Sequence, residues 1–436
     1  MSFLVTLVSF VVVLGILIFV HEFGHLITAK AFGMRVFVFS FGFGKRLLGF
    51  KWGETDCRVS AIPLGGYVKL EGEGDDLISE DTSALGDGKD FLSRPRWQRF
   101  LVYLAGPAMN AVLTIAVLTG LYVVGYEEPA SLSLPPVIGA VQPGSPAEAA
   151  GLQPGDEILA IDGKPQPTWG DAAYSLLIRP DADVRLSFRR AGAEQEVVVR
   201  SGSTPEKAGE IGVRPFTFAQ VVSPGGAAEA AGLQAGDAIV RVGEAPIRSP
   251  DDVRPAVQAA GEKPVTVRVY RDGRFLDLEM TPRDSGSGPM IGVQLGEKLV
   301  RKRYGPIAAV GAATRRAWAM TEQIVETLGR LLTARLSPKT MAGPLGIAQM
   351  SGEVARRGAQ DWWAFVAFIS LNVGLLNLFP LAPLDGGHLA LLTVEGAARR
   401  DMNPRVKGWI MNAGAAAIFL LIGLVLYADV SRLIAR

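Results

Sequence analysis

The sequence predicts a multi-domain membrane protein, with four transmembrane helices joined to two repeated α+β domains. Three observations lead there. The chain has 436 residues, of which 49% are hydrophobic and 20% charged, below the ~25% charged usual for soluble domains. The deficit lies in four stretches without Asp, Glu, Lys or Arg: Met1–Val20, Phe100–Tyr126, Trp362–Leu384 and Gly408–Tyr427. At 1.5 Å per residue each is long enough to cross ~30 Å of hydrocarbon. Lastly, Val141-Gln-Pro-Gly-Ser-Pro-Ala-Glu-Ala-Ala-Gly-Leu-Gln-Pro-Gly-Asp156 recurs as Val222-Ser-Pro-Gly-Gly-Ala-Ala-Glu-Ala-Ala-Gly-Leu-Gln-Ala-Gly-Asp237. Two copies at long spacing mean tandem globular domains rather than a solenoid.

The first stretch lacks a basic flank and a small-residue cleavage site, so it reads as a span and not a signal peptide. Lys30, Arg35, Lys45 and Arg46 follow it, and Arg94, Arg96 and Arg99 precede the second. Glu127 and Glu128 follow the second, and Arg399, Arg400, Arg405 and Lys407 separate the third from the fourth. The positive-inside rule places both short loops in the cytoplasm and Glu127–Asp361 outside, with Arg432 and Arg436 weakly opposed. A net charge of +1 gives no nucleic-acid footprint. The single cysteine, Cys57, excludes an intrachain disulfide and a cysteine-rich metal site, and reads as an inert loop residue.

The expected divisions are 1–127 (two spans and a cytoplasmic loop), 128–215 and 216–298 (the repeats), 299–360 (a linker) and 361–436 (two spans). In the loop, Arg35–Phe41, Gly42-Phe43-Gly44 and Cys57–Ile62 before Pro63–Tyr67 predict paired strands with glycine bends. Residues Glu71–Asp90 read as a solvated acidic loop. Each repeat reads as a strand, a Pro-Gly turn, a short Ala-rich helix ending at Gly151 or Gly232, and a strand at Asp156–Ile161 or Asp237–Val242. Further strands are expected at Val184–Phe188, Glu196–Arg200 and Val265–Tyr270. Arg301–Leu336 mixes Arg301, Arg303, Arg315, Arg316, Arg330 and Arg335 with Ile307, Val310, Trp318, Ile324 and Leu331. That pattern suits an amphipathic helix on the outer membrane surface, or equally a linker packed under the repeats.

Chemistry points to the end of the first span. Two of the three histidines stand in His21-Glu22-Phe23-Gly24-His25. One helical turn separates them, so both imidazoles reach one cation, and Glu22 is placed to take a proton from water. Ionisable groups about 27 Å along an apolar helix are expensive in a membrane and usually functional. A catalytic zinc takes three protein ligands. The end of the third stretch, Leu375-Leu-Asn-Leu-Phe-Pro-Leu-Ala-Pro-Leu-Asp-Gly-Gly-His388, supplies both Asp385 and His388, and chemistry alone does not choose between them.

The phrase Pro146-Ala-Glu-Ala-Ala-Gly-Leu-Gln-Pro-Gly-Asp156 resembles the PDZ domains of bacterial envelope proteases. Such domains add a peptide strand to a sheet edge and receive its terminal carboxylate on backbone amides. The resemblance makes Ile211-Gly212-Val213 and Ile291-Gly292-Val293 candidate carboxylate cradles; glycine needed only for a tight turn is the rival reading.

With HExxH in the first span, Gly106-Pro107-Ala108-Met109-Asn110 in the second and Asn377-x-x-Pro380…Asp385-Gly386 in the third, the whole chain resembles the site-2 protease family, in its form with two PDZ domains between spans two and three. The resemblance implies a four-helix intramembrane zinc metalloprotease core with a membrane-reentrant β-hairpin, and two tandem α+β PDZ domains on the periplasmic side of a bacterial inner membrane. It implies Zn²⁺ held by His21, His25 and Asp385, Glu22 as catalytic base and Asn377 as a substrate contact, with helix packing the rival reading for Asn377. His388 would then play a supporting part. Here Ala382 and Pro383 depart from the family's usual proline position, which leaves the backbone path before Asp385 open. The implied substrate is a single-span membrane protein already trimmed outside, such as an anti-sigma factor in envelope-stress signalling, with remnant signal peptides as a second class. The rival from another class is a non-proteolytic PDZ membrane scaffold with a structural zinc, which would have no need of Glu22.

Overall fold

The computed structural model describes residues 2–72, 88–129, 134–204, 208–284, 288–296, 299–333, 336 and 343–434. The chain forms two compact units: Met1–Tyr126 with Arg303–Glu326 and Met341–Arg436, and Glu127–Lys302 with Thr327–Thr340.

In the first unit, backbone groups facing hydrocarbon must be satisfied internally, which converts each long apolar run to helix. Four described helices are long and apolar enough to span: Phe3–Ala31, Arg96–Val124, Ala359–Asn377 and Pro404–Tyr427. Val13 and Leu17 of the first pack on Phe365, Val366 and Ile369 of the third. Between the first and second, Gly24 lies against the Ala105 backbone, where a Cβ would be 2.8 Å from the carbonyl carbon. That close approach brings the second span onto the histidine-bearing turn.

The loop between the first and second spans forms two long antiparallel strands, Val36–Trp52 and Thr55–Leu70. Their pairing curls back on itself: Phe39 stands opposite both Val68 and Cys57. Val38–Phe41 is therefore flanked on both sides, and Gly66–Lys69 forms one outer edge of the sheet. Val36, Phe39, Cys57 and Leu70 share a core with Leu26 and Ala29 of the first span. Cys57 is thus a buried strand residue, a correction to the loop reading, because alternation along the strand turns it toward the span. Leu47, Leu48 and Phe50 stay at least 60% exposed. Of the expected acidic loop, residues 73–87 lie outside the described residues.

The expected amphipathic segment forms the helix Pro306–Leu332; Arg335 lies outside the described residues. Its packed face carries Ala309, Ala313 and Met320, set against Leu118, Leu121 and Ala367 of the second and third spans. Ile307, Val310 and Trp318 face away. Neither sequence reading specified this arrangement. Without a hydrophobic driving force in lipid, helices associate where small residues let backbones approach. A further helix, Pro344–Arg357, packs on the first span. Ser9 Oγ and Ser351 Oγ are 2.6 Å apart, and the Leu345 N–H at the helix start donates to Asp429, just beyond the fourth span on the same helix, at 3.1 Å.

The second unit holds the two repeats. The first has the sheet Lys164–Pro165, Glu157–Ile161, Asp183–Arg190, Ala193–Arg200 in that order. Ile138, Ile158, Leu186 and Ile211 lie in its core. The second orders Arg274–Met280, Val265–Arg271, Ala238–Val242, Thr217–Val222, Val293–Gly296 over a core of Ile239, Val267 and Ile291. The short helices fall at Pro146–Ala149 and Ala227–Ala230, where the sequence put them. An ion pair is duplicated too. Arg190 grips buried Asp156 with two bonds of 2.7 Å and donates to Gly151 O, and Arg271 does the same to Asp237 and Gly232 O. The helices Trp169–Leu177 and Pro250–Ala260 were not expected. The second starts with a capping box of Ser249 and Asp252, and the Arg248 and Ser249 N–H groups hold the Asp252 carboxyl below the usual carboxylate range.

Candidate metal centre

His21 and His25 sit on one face of the first span, 7% and 8% exposed, with Nε2 atoms 3.3 Å apart. Across from them, Asp385 places Oδ2 3.0 Å from His21 Nε2 and Oδ1 3.5 Å from His25 Nε2. The three donor atoms lie within 4.8 Å of one another, the one such His/Cys/Asp/Glu group among the described residues. Of the two candidates the sequence left open, Asp385 is thus the one that meets the histidine pair. His388 instead stacks flat on Tyr103 of the second span, centroids 4.5 Å apart.

Local sequence explains how Asp385 arrives there. The third span stops at Asn377, a turn containing Pro380 and Pro383 follows, and Asp385 opens the helix Asp385–Ala398, where a carboxylate suits the positive helix end. The Ala382–Pro383 bond is cis. This is the path that the displaced proline had left open.

Both imidazoles are held from behind. His25 Nδ1 lies 2.7 Å from the Val102 carbonyl, so it donates there and leaves Nε2 free. His21 Nδ1 lies 3.3 Å from the Asn110 amide. Gly106 gives the second span room: a Cβ there would be 2.7 Å from His21 Nε2 and would collide with His25.

Glu22 opens onto a cavity of about 260 Å³ with His21, Asp385, Asn377, Gly65 and Gly66. The Val68 N–H donates to its carboxylate, and a Cβ at Gly66 would sit 3.1 Å from Glu22 Cγ. The hairpin edge therefore forms one wall beside Glu22. Asn377 Nδ2 is 3.4 Å from His21 Nε2, on the cavity side. Two imidazoles and one carboxylate, buried behind and open toward a cavity, match the donor set of a catalytic rather than a structural zinc.

The other predicted residues belong to the second unit. Ile211 and Ile291 are core side chains, 1% and 3% exposed. Gly212 and Gly292 have φ of +81° and +75°, a region that favours glycine. Their carbonyls accept from Gln142 and Ser223 N–H, and those of Ile211 and Ile291 accept from Ala147 and Ala228 N–H. Val213 and Val293 begin strands. These contacts account for glycine in each loop by the turn alone and leave the carboxylate reading to experiment. Sequence reasoning gave no role to Asn110, Gly106 or Val102, although the first two lie in a motif it singled out.

A family model, peptidase family M50, matches residues 9–421. The chain is 32% identical to the regulator of sigma-E protease RseP of Escherichia coli, over 99% of this chain and 100% of that protein. It is also 32% identical to protease RseP of Yersinia pestis, with the same coverage. It shares 33% identity with a protein of Ralstonia nicotianae named as a zinc metalloprotease, over 99% of each.

Proposed function

The chain belongs to peptidase family M50, and from that premise we propose that it is an intramembrane zinc endopeptidase whose reaction is carried by His21, Glu22, His25 and Asp385. The observation that carries this reading is the convergence of both Asp385 oxygens on the two HExxH imidazoles, 3.0 and 3.5 Å away. Zinc held by these three side chains would supply Lewis-acid polarisation of the scissile carbonyl and acidify water toward neutral pH. Glu22 takes the proton from the attacking water and passes it to the departing amine nitrogen. The Val68 N–H and the close Gly66 backbone keep that carboxylate turned to the cavity. The Asn377 amide is placed to hydrogen-bond substrate backbone.

A substrate helix must be unwound before its peptide bond is reached. In our reading the Gly66–Lys69 edge receives the unwound segment by backbone pairing, as a membrane-reentrant hairpin whose exposed Leu47, Leu48 and Phe50 face lipid. The two repeats act as PDZ domains on the outer side of a bacterial inner membrane, screening for single-span proteins already trimmed there. The Escherichia coli relative is named for sigma-E regulation, which supports an anti-sigma factor as substrate, with remnant signal peptides as a second class. The test is Glu22→Gln in a membrane cleavage assay with a trimmed single-span substrate. Cleavage should fall by ~10²-fold or more at normal expression and zinc content; undiminished cleavage overturns the proposal.

A further inference from the structure

An imidazole that ligates through Nε2 carries its hydrogen on Nδ1, and that N–H needs an acceptor. For His25 the acceptor is the Val102 carbonyl. For His21 the group in that place is the side-chain amide of Asn110, 0% exposed. This amide is placed with Nδ2 3.3 Å from His21 Nδ1, and among the described residues its Oδ1 has no hydrogen-bond partner. The two ends occupy equivalent space, so the donor or acceptor facing the ring is decided by chemistry rather than shape. If the NH₂ faced Nδ1, the ring hydrogen would sit on Nε2 and block the lone pair that must face Asp385 and the cation. With the carbonyl oxygen facing Nδ1–H, Nε2 is free.

Asn110 is itself anchored where it can do this. Ser370 Oγ of the third span donates to its backbone carbonyl at 2.9 Å. The Thr114 hydroxyl lies 3.0 Å from the same carbonyl and from Ala367 O. Both contacts leave the side-chain amide uncommitted and aimed at the histidine. We propose that Asn110 is the positioning residue of the centre: its amide oxygen accepts the His21 Nδ1–H and thereby fixes the tautomer and ring plane that bind zinc. This inference rests on the zinc reading above.

The test uses the full chain in detergent and measures zinc affinity by chelator competition, with the absorption spectrum of the cobalt-substituted protein as a second readout. Asn110→Leu fills the same space without an acceptor and should weaken zinc about 10–100-fold. Asn110→Asp restores an acceptor and should hold zinc within a few-fold of the wild type, with a wild-type-like cobalt spectrum. Ser370→Ala removes one of the two hydroxyls on the Asn110 carbonyl but keeps Thr114 and the amide, and should weaken zinc clearly less than Asn110→Leu does. Wild-type affinity in Asn110→Leu overturns the proposal. So does an Asp variant no better than the Leu variant, or an equal loss in Ser370→Ala. The zinc reading fails separately, if the wild type takes up no stoichiometric zinc or His21→Ala retains it.

Discussion

The phenol ring of Tyr103 lies flat on the imidazole of His388, with the planes only 7° from parallel. Tyr103 follows Val102, whose carbonyl holds His25, and His388 lies one turn beyond Asp385. Adjacent residues of the second span thus brace one ligand directly and steady the helix carrying another. Asp385→Ala should abolish stoichiometric zinc, whereas His388→Phe, which preserves a stacked ring, should retain it. Metal analysis of the purified variants checks both.

Removing the metal should abolish cleavage. After exhaustive dialysis against a strong chelator, the trimmed substrate should remain intact. Zinc should restore activity and magnesium should not, because two imidazoles suit the softer ion. Restoration by magnesium would exclude the proposed ligand set.

Gly106 and Gly120 lie on the same helix in opposite circumstances. A Cβ at Gly106 would press on both histidines, while at Gly120 it meets nothing within 4 Å. Gly106→Ala should cost zinc and most of the cleavage activity. Gly120→Ala should leave both intact and, if anything, gain up to ~1 kcal/mol from helix propensity. Zinc content and cleavage rate, measured side by side, decide the point.

The duplicated Arg–Asp pairs should be stabilising in the sense that breaking them is costly. Asp156 and Asp237 are each 1% exposed, so Arg190→Ala or Arg271→Ala strands a buried carboxylate. The loss should be ~3 kcal/mol per site, at the low end for buried pairs because each guanidinium partly faces water. Thermal unfolding of the full chain reads it, and equal effects at the two sites are expected.

Asp252 should make one local contribution that depends on pH. Its carboxyl is held below the usual range by the Arg248 and Ser249 N–H donors. Its stabilisation is therefore complete above the ordinary carboxylate range and is lost as pH falls through the depressed value. Asp252→Asn should cost about 1 kcal/mol near neutral pH, and unfolding curves of variant and wild type should converge in acid.

Much of this was legible because it is local. Uncharged runs marked the spans, and an i, i+4 histidine pair marked the metal face. The repeated Pro-Gly-x-x-Ala-Glu-Ala-Ala-Gly phrase located both short helices. Chemistry alone did not choose between Asp385 and His388, since they share a helix; the packing sets Asp385 against the histidine pair and His388 against Tyr103. Asn110 escaped because its role depends on a contact between two spans. The packed face of Pro306–Leu332 escaped because its first turns are held by Ala309 and Ala313, and large apolar residues join only at Met320 and Ile324. The helices Trp169–Leu177 and Pro250–Ala260 carried readable caps in Thr168…Asp171 and Ser249…Asp252, which were passed over.

His21 and His25 stand on the first described helix, and Asp385, which meets them, lies beyond both repeats and the third span. A nascent chain threading into the bilayer therefore carries its HExxH turn for most of its translation without the residue that completes the centre. Both repeats are made between the histidine pair and Asp385. The donor set is thus split between two distant parts of the chain, and only the folded bundle brings it together.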